Sequence, residues 1–327
     1  MTWLRSCGRF FDKRIGLHRL GIILSVVIIA VAAVVLYRKL HNINVSKVLT
    51  AMATVEYRDV AISAMFVAAG YFTLTFYDLF ALRTIGRKDV PYRIAALAGF
   101  TSYSVGHNVG ASVFTGGAVR YRIYSAWGLD AIEVAKICFL AGLTFWLGNM
   151  TVLGFGFAYH PQAASDIDQL PLWLNRTLGL AALAGLVGYI AWVWSTPRVI
   201  GRQNWQVQLP NGPLTLLQIA IGIVDLSCCA AAMYVLVPNE PHMQFVDIAV
   251  IFITATLLGF ASHSPGGLGV FDAAMLIALW EFDAEELLAG LLIFRLLYYV
   301  TPFALALVVL GIRELKLHFF ERRDAGR

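Results

Sequence analysis

Apolar residues run along this chain in blocks longer than a soluble core needs, with polar residues gathered between them. Continuous apolar stretches cover about 20–37, 60–82, 132–158, 176–196, 213–237 and 286–312. Each approaches or exceeds the ~20 residues that carry a helix across a bilayer, so the pattern predicts about six transmembrane helices. Two further stretches, 94–118 and 246–280, are apolar but interrupted by Gly, His and Pro. They nearly repeat each other. Residues 99–106 read GFTSYSVG and residues 259–266 read GFASHSPG; downstream, WGLDAIE (127–133) is echoed by WEFDAEE (280–286). The chain therefore divides into two membrane repeats, 20–158 and 176–312, each with one broken segment. In transporters built from such repeats, the broken segments form the substrate path.

Composition agrees. Hydrophobic residues are 59% of the 327, charged residues 14%, and the mean hydropathy is +0.72, whereas a soluble domain holds about 25% charged residues. The longest polar stretches are the basic N-terminus, 1–19, and the basic tail, 313–327, which leaves no soluble domain of useful size. The 20–37 stretch also has signal-peptide features: basic residues precede it, and Ala30–Val31–Ala32 resembles a cleavage site. Arg38 and Lys39 follow at once, however, and the stretch has a counterpart in the second half, so it reads as retained. The cysteines, Cys7, Cys138, Cys228 and Cys229, lack Cys-x-x-Cys spacing and suggest packing rather than a disulfide framework or metal site. No metal, cofactor or nucleic acid is expected.

Lys and Arg mark cytoplasmic loops. By that rule the N-terminus, 83–93, 197–212 and the tail are inside, and 159–175 and 238–245 outside. The 38–59 loop fits worst: it must be outside, yet it carries Arg38, Lys39, Lys47 and Arg58. The segment 94–118 begins inside and is followed by Arg120 and Arg122, so it must return to the side it left. The segment 246–280 begins outside and leads to an acidic turn (Glu281, Asp283, Glu285, Glu286) that must also be outside. Both broken segments thus read as re-entrant hairpins entering from opposite faces. The expected fold is an all-α polytopic membrane protein of two inverted repeats, with about six full crossings and two hairpins. If the hairpins instead crossed fully, the repeats would be parallel. Non-helical backbone survives at membrane depth only beside protein or water. The tips GHNVG (106–110) and SPGGLG (264–269) therefore need a polar cavity, with Gly106, Gly110, Gly266, Gly267 and Gly269 shaping the turns.

Three segments carry a resemblance. GGAVRYRIYSAWGL (116–129), SPGGLGVFDAAMLIAL (264–279) and FRLLYYVTPFALAL (294–307) resemble signature segments of the YbhN family. That family shares its fold with the transmembrane part of lysyl-phosphatidylglycerol synthase/flippase (MprF). The resemblance covers nearly the whole chain. It implies movement of phospholipid between leaflets, as this membrane part is credited with in the synthases. It does not carry over lysyl transfer, because the aminoacyltransferase domain that follows there is expected to be absent here.

Individual residues allow a functional and a plain structural role. Arg120 and Arg122 flank Tyr121 after the first hairpin; a guanidinium fork suits a lipid phosphate, and two topology-setting charges are the plainer alternative. Arg295 lies well inside the last span, where an Arg costs about 2.5–3.5 kcal/mol on insertion scales. Asp225, mid-span in 213–237, is its expected partner, as a structural or gating pair, with Tyr298 and Pro302 on the same face as Arg295. His107, Asn108, His263 and Ser264 sit near the tips and could contact a headgroup or satisfy freed backbone. Asp272 could cap the returning helix or bind a proton. Asp78 reads as interfacial, and Glu133 as snorkelling or paired. Enzyme signals are weak: there is no His-Glu-x-x-His, nucleotide loop or Gly-x-Ser-x-Gly, and Ser262, His263 and Ser264 are too close together to build a nucleophile–base pair.

These features describe a multi-pass inner-membrane protein with both termini cytoplasmic. It is expected to translocate a phospholipid, anionic and of phosphatidylglycerol or cardiolipin type. The alternative is a non-transporting lipid-binding partner that organises a lipid-synthesis enzyme. Expected partners are membrane phospholipids, with such an enzyme and a second copy of the chain as further candidates.

Overall fold

The computed structural model describes residues 26, 29–34, 37, 43–194, 196, 198–202 and 205–325, with backbone alone for 316–325. The basic N-terminus 1–19 and much of the predicted 20–37 span lie outside the described residues. In chain order the elements are α1 (Val45–Thr54), α2 (Tyr57–Thr84), α3 (Tyr92–Val109), α4 (Ser112–Tyr124), α5 (Ala131–Tyr159), α6 (Pro161–Asp168) and α7 (Leu172–Trp194). A small hairpin of β1 (Val199–Arg202) and β2 (Trp205–Gln208) follows. Then come α8 (Gly212–Tyr234), α9 (Phe245–Ala261), α10 (Val270–Ala278), α11 (Ala284–Arg295) and α12 (Thr301–Ala325). A π-helical turn at Leu296–Val300 joins α11 to α12.

Among the described residues, five helices are long and apolar enough to cross a membrane: α2, α5, α7, α8 and the α11–α12 rod over Ala284–Leu315. They coincide with five of the apolar stretches. The expected loops are more structured than the sequence suggested. The 38–59 loop contains α1, whose Asn44 cap accepts from Ser46 N–H. The 159–175 loop contains α6, and the 197–212 loop contains β1 and β2, paired antiparallel with Val199 opposite Gln208 and Arg202 opposite Trp205.

The downstream echo between the two halves is a helix-start signal. Asp130 accepts from Glu133 N–H at 2.7 Å, and Glu133 reaches back to Asp130 N–H at 3.0 Å, a capping box at the start of α5. Asp283 likewise accepts from the N–H groups of Glu285 and Glu286 at the start of α11. The upstream echo is structural too. Ser102 and Ser262, at matching positions of the two similar sequence segments and both buried, donate to the carbonyls of Gly99 and Gly259 at 3.1 and 2.7 Å.

Helices in lipid gain little from hydrophobic transfer and associate by close packing of small residues. Gly148 on α5 and Gly222 on α8 are in backbone contact: a Cβ added to Gly148 would lie 2.8 Å from Gly222 Cα. The larger core joins α2, α8, α9, α10 and α11 through Tyr71, Tyr77, Met233, Ile251, Phe271 and Phe294. A second core around Leu82, Ile123, Tyr124, Ile137 and Leu140 fixes α4 against α2 and α5. The membrane window of α7 is only 17% buried, which leaves most of it to lipid.

Both broken stretches form helical hairpins, α3–α4 and α9–α10. Arg87, just before the first, bonds Asp89, Glu133 and the carbonyl of Trp127, which lies just after it. The Arg87 hydrogen bond holds the Asp89 carboxyl below the usual carboxylate range. At the second hairpin, Ile248 near its start and Phe282 just beyond its end line one 220 Å³ cavity with Tyr234 and His242.

Candidate functional site: two hairpin tips on a broken helix

The site begins with proline chemistry. Pro302 has no N–H, so the Tyr298 carbonyl four residues earlier loses its helical donor. The last helix answers with a π turn, and other elements satisfy the freed carbonyls. Tyr71 Oη on α2 donates to the Tyr298 carbonyl at 3.0 Å. Asn108 Nδ2, at the first hairpin tip, donates to the Tyr299 carbonyl at 3.1 Å. Within the helix itself, Thr301 gives both its N–H and its Oγ1 (2.8 Å) to the Leu296 carbonyl. π turns inside helices often sit at functional sites, and this one is where both hairpins attach.

The two tips also touch each other. Gly110 ends α3 with φ 83° and ψ 178°, a conformation open essentially to glycine. A Cβ there would meet Pro265 Cα at 3.4 Å and the His263 carbonyl at 3.6 Å. Gly266, Gly267 and Gly269 in the second tip have φ of 60°, 61° and 82°, whereas Gly106 lies within α3. His107 stacks on Tyr298 with ring centroids 6.0 Å apart and also packs on Tyr103, Phe260 and Tyr299. Its Nδ1 is buried without a hydrogen-bond partner among the described residues. The Asn108 Nδ2, by contrast, donates to backbone, to the Ser104 and Tyr299 carbonyls.

Two ion pairs brace the tips, and neither is the pair expected from sequence. Arg295 does not meet Asp225. It grips Asp272 with Nε at 2.8 Å and Nη2 at 2.7 Å, and Nη1 donates to the Gly266 carbonyl at 3.0 Å. The guanidinium also lies over the Phe271 and Tyr299 rings. Asp272 sits in the first turn of α10, where it meets Arg295 of α11 and also accepts from Gly269 N–H. Asp225 lies instead between Thr73 and Tyr77 of α2.

The second pair corrects two further expectations. Asp78 is not interfacial: it is fully buried and accepts from Arg120 Nε and Nη2 and from Tyr124 Oη at 2.8–3.1 Å. Arg120, only 5% exposed, is thereby committed to α2 and stacks on Tyr103 at 4.8 Å, so its fork is not presented to a headgroup. Arg122 points outward and pairs with Glu314 of α12. Tyr121 is exposed. Sequence reasoning missed Asp78 because a carboxylate near a helix end looks interfacial; the presence of Arg120 without another acid nearby in sequence was the available signal.

At the second tip, His263 has φ 57° and is exposed, with Nδ1 against the Ala261 carbonyl at 3.0 Å. Ser264 Oγ and Ser262 Oγ are 2.8 Å apart. Tyr298 Oη lies 3.6 Å from Cys229 Sγ.

Beside the tips, an apolar groove of about 540 Å³ opens between α2, α3 and α12. Tyr71, Phe100, Leu297 and Pro302 form its inner wall, so it shares Tyr71 and Pro302 with the broken helix. Arg93, from the first turn of α3, and Thr75 are among its few polar lining groups. No sequence pattern marked this groove, because its walls come from three separate segments.

The family described as the lysylphosphatidylglycerol synthase TM region matches residues 22–306. An uncharacterized protein of Synechocystis, slr0712, is 30% identical over 287 residues, covering 88% of this chain and 89% of its own. The inner membrane protein YbhN of Escherichia coli is 29% identical over 249 residues, covering 74% and 76%. The phosphatidylglycerol lysyltransferase of Staphylococcus aureus is 24% identical over 279 residues; the match takes in 85% of this chain but 32% of that protein. This helical membrane protein therefore belongs to the lysylphosphatidylglycerol synthase TM region family.

Proposed function

We propose that this protein moves a phospholipid, anionic in its headgroup, between the two leaflets. The observation that carries the reading is the meeting of two glycine-turned hairpin tips on a π-broken helix inside an otherwise apolar bundle. Such a junction is the natural place for a headgroup to cross hydrocarbon, since freed backbone and polar side chains concentrate there.

We read the hairpins as re-entrant and the halves as inverted repeats. The Arg87 contacts across the base of the first hairpin support that reading, as does the shared cavity at the base of the second. So do the lengths. The return helix α4 has 13 residues and α10 has 9, which at 1.5 Å per residue reach about 20 and 14 Å, short of a ~30 Å hydrocarbon core. The basic loops support a cytoplasmic side for both termini and for Arg93. The groove suits an acyl chain: its volume lies within the ~300–1,000 Å³ of small-molecule sites, its walls are apolar, and Arg93 can meet a phosphate at its rim. The phosphate contact first expected of Arg120 passes to Arg93, with Arg122 and Tyr121 as the other outward candidates.

Leaflet-resolved labelling of fluorescent phosphatidylglycerol in proteoliposomes tests this. Wild type should exceed protein-free vesicles, and Arg93→Gln should slow movement while leaving thermal stability unchanged. Wild-type rates at the vesicle baseline would refute transport. One observation favours the second reading, a lipid-binding partner of a lipid-synthesis enzyme: the tips are closed on each other at Gly110 and Pro265. A carrier must open that contact; a scaffold need not.

A further inference from the structure

Among the described residues Asp78 and Asp225 are buried and Asp272 is largely shielded, and their surroundings differ in kind. Asp78 and Asp272 each take a two-pronged arginine. Asp225, only 4% exposed in the middle of α8, has no cationic partner among the described residues. Its neighbours are neutral: Tyr77 Oη donates to Oδ2 at 3.0 Å, Thr73 Oγ1 lies 3.2 Å from Oδ1, and Cys229 Sγ is 4.0 Å away.

Hydrogen accounting sharpens the contrast. A hydroxyl has one hydrogen. Thr73 Oγ1 has one hydrogen for two acceptors, the Gly70 carbonyl at 2.6 Å and Asp225 Oδ1 at 3.2 Å, so when it serves the carbonyl Oδ1 faces a lone pair, and a proton on Oδ1 restores the hydrogen bond. Burying an unpaired charge in hydrocarbon is costly in any case. We propose that Asp225 is a proton-binding site, occupied in this closed arrangement and emptied when the bundle opens to water.

The site is wired to the broken helix. Cys229, one turn beyond Asp225, contacts Tyr298 Oη, and Tyr298 carries the carbonyl that Tyr71 supports. The groups facing Asp225 are Tyr77, Thr73 and Tyr71 from α2, Cys228 and Cys229 from α8, and Tyr298 from the π turn. Beyond them lie Tyr103, which packs on Tyr77, and His107, which packs on Tyr298. The nearest arginine contact runs through Tyr103 to Arg120, already held by Asp78. Loss of the proton would leave an unpaired charge among neutral hydroxyls and thiols, which favours opening. Coupling of this proton to lipid movement rests on the transporter reading; proton binding itself does not.

Infrared difference spectroscopy of the purified protein against pH tests the site. Wild type should show the carbonyl stretch of a protonated carboxylic acid that disappears as pH rises, and Asp225→Asn should lose that band. Tyr77→Phe removes a donor that stabilises the carboxylate, so its band should persist to higher pH. This second variant covers a failure of Asp225→Asn to fold. An Asp225→Asn spectrum identical to wild type, or a Tyr77→Phe midpoint unmoved or shifted downward, would overturn the proposal. If wild type moves no lipid yet shows the titrating band, the transporter reading falls and the proton site stands. If lipid moves without the band, the reverse holds.

Discussion

The Arg295–Asp272 pair decides whether the second hairpin tip is held by the last helix. Its side chains are 12% and 14% exposed, and its two bonds are 2.8 and 2.7 Å. Arg295 also holds the Gly266 carbonyl, and Asp272 also holds Gly269 N–H. Removing one member of a buried pair costs about 3–5 kcal/mol, because the other charge is left stranded. The slight exposure here places the expected loss near the lower figure, about 3 kcal/mol, or roughly a hundredfold in the folding equilibrium. Asp272→Asn is the cleaner probe, since it preserves shape and an acceptor for Gly269. Arg295→Gln is its counterpart. The double variant should recover part of the summed loss, with a coupling of about 1–3 kcal/mol by denaturant unfolding in mixed micelles. The Arg295→Gln and Asp225→Asn pair should instead add, within about 0.5 kcal/mol. Additivity of the first pair together with coupling of the second would refute this geometry and restore the partner first expected from sequence.

Three further outcomes follow from the same contacts. Tyr71→Phe strands the Tyr298 carbonyl and should cost about 1–3 kcal/mol; Pro302→Ala restores a helical N–H, so in that background the cost should largely vanish, and equal costs in both would refute the capping role. Gly110→Ala places a side chain in a glycine-only conformation against Pro265, at about 1–3 kcal/mol, and should slow lipid movement in proteoliposomes; wild-type stability and rate together would mean the tips do not meet as described. Arg120→Lys keeps the charge but loses the fork on Asp78, so it should lower thermal stability, whereas Arg122→Lys should leave stability near wild type; the opposite order would return Arg120 to the headgroup role.

Much of the fold is written in local pattern. Five apolar stretches become five long helices because backbone in hydrocarbon must satisfy its own hydrogen bonds, and a continuous apolar run leaves it little alternative to a helix. The positions of both hairpins were readable from glycine and proline. The matching Asp and Glu of the two echoes were readable as repeats, although their meaning as helix caps needed the structure. The short helices α1 and α6 and the β-hairpin were missed because each is a brief element in a polar segment, where periodicity is weak.

Partnership was decided only in three dimensions. Sequence spacing placed Arg295 and Asp225 each at mid-span and so suggested a pair, but spacing carries no information on which helix faces point at each other. The tertiary fold turns Asp272 toward Arg295, Asp78 toward Arg120 and Asp225 toward neutral hydroxyls. Likewise Pro302 announces a freed carbonyl in the sequence, while the donor that meets it, Tyr71, comes from 227 residues away along the chain and is supplied by packing alone. Hydropathy and backbone chemistry are local and determine where this chain enters lipid and where its helices break. Charge pairing, groove and proton site depend on contacts between distant segments, and those exist only once the helices have packed.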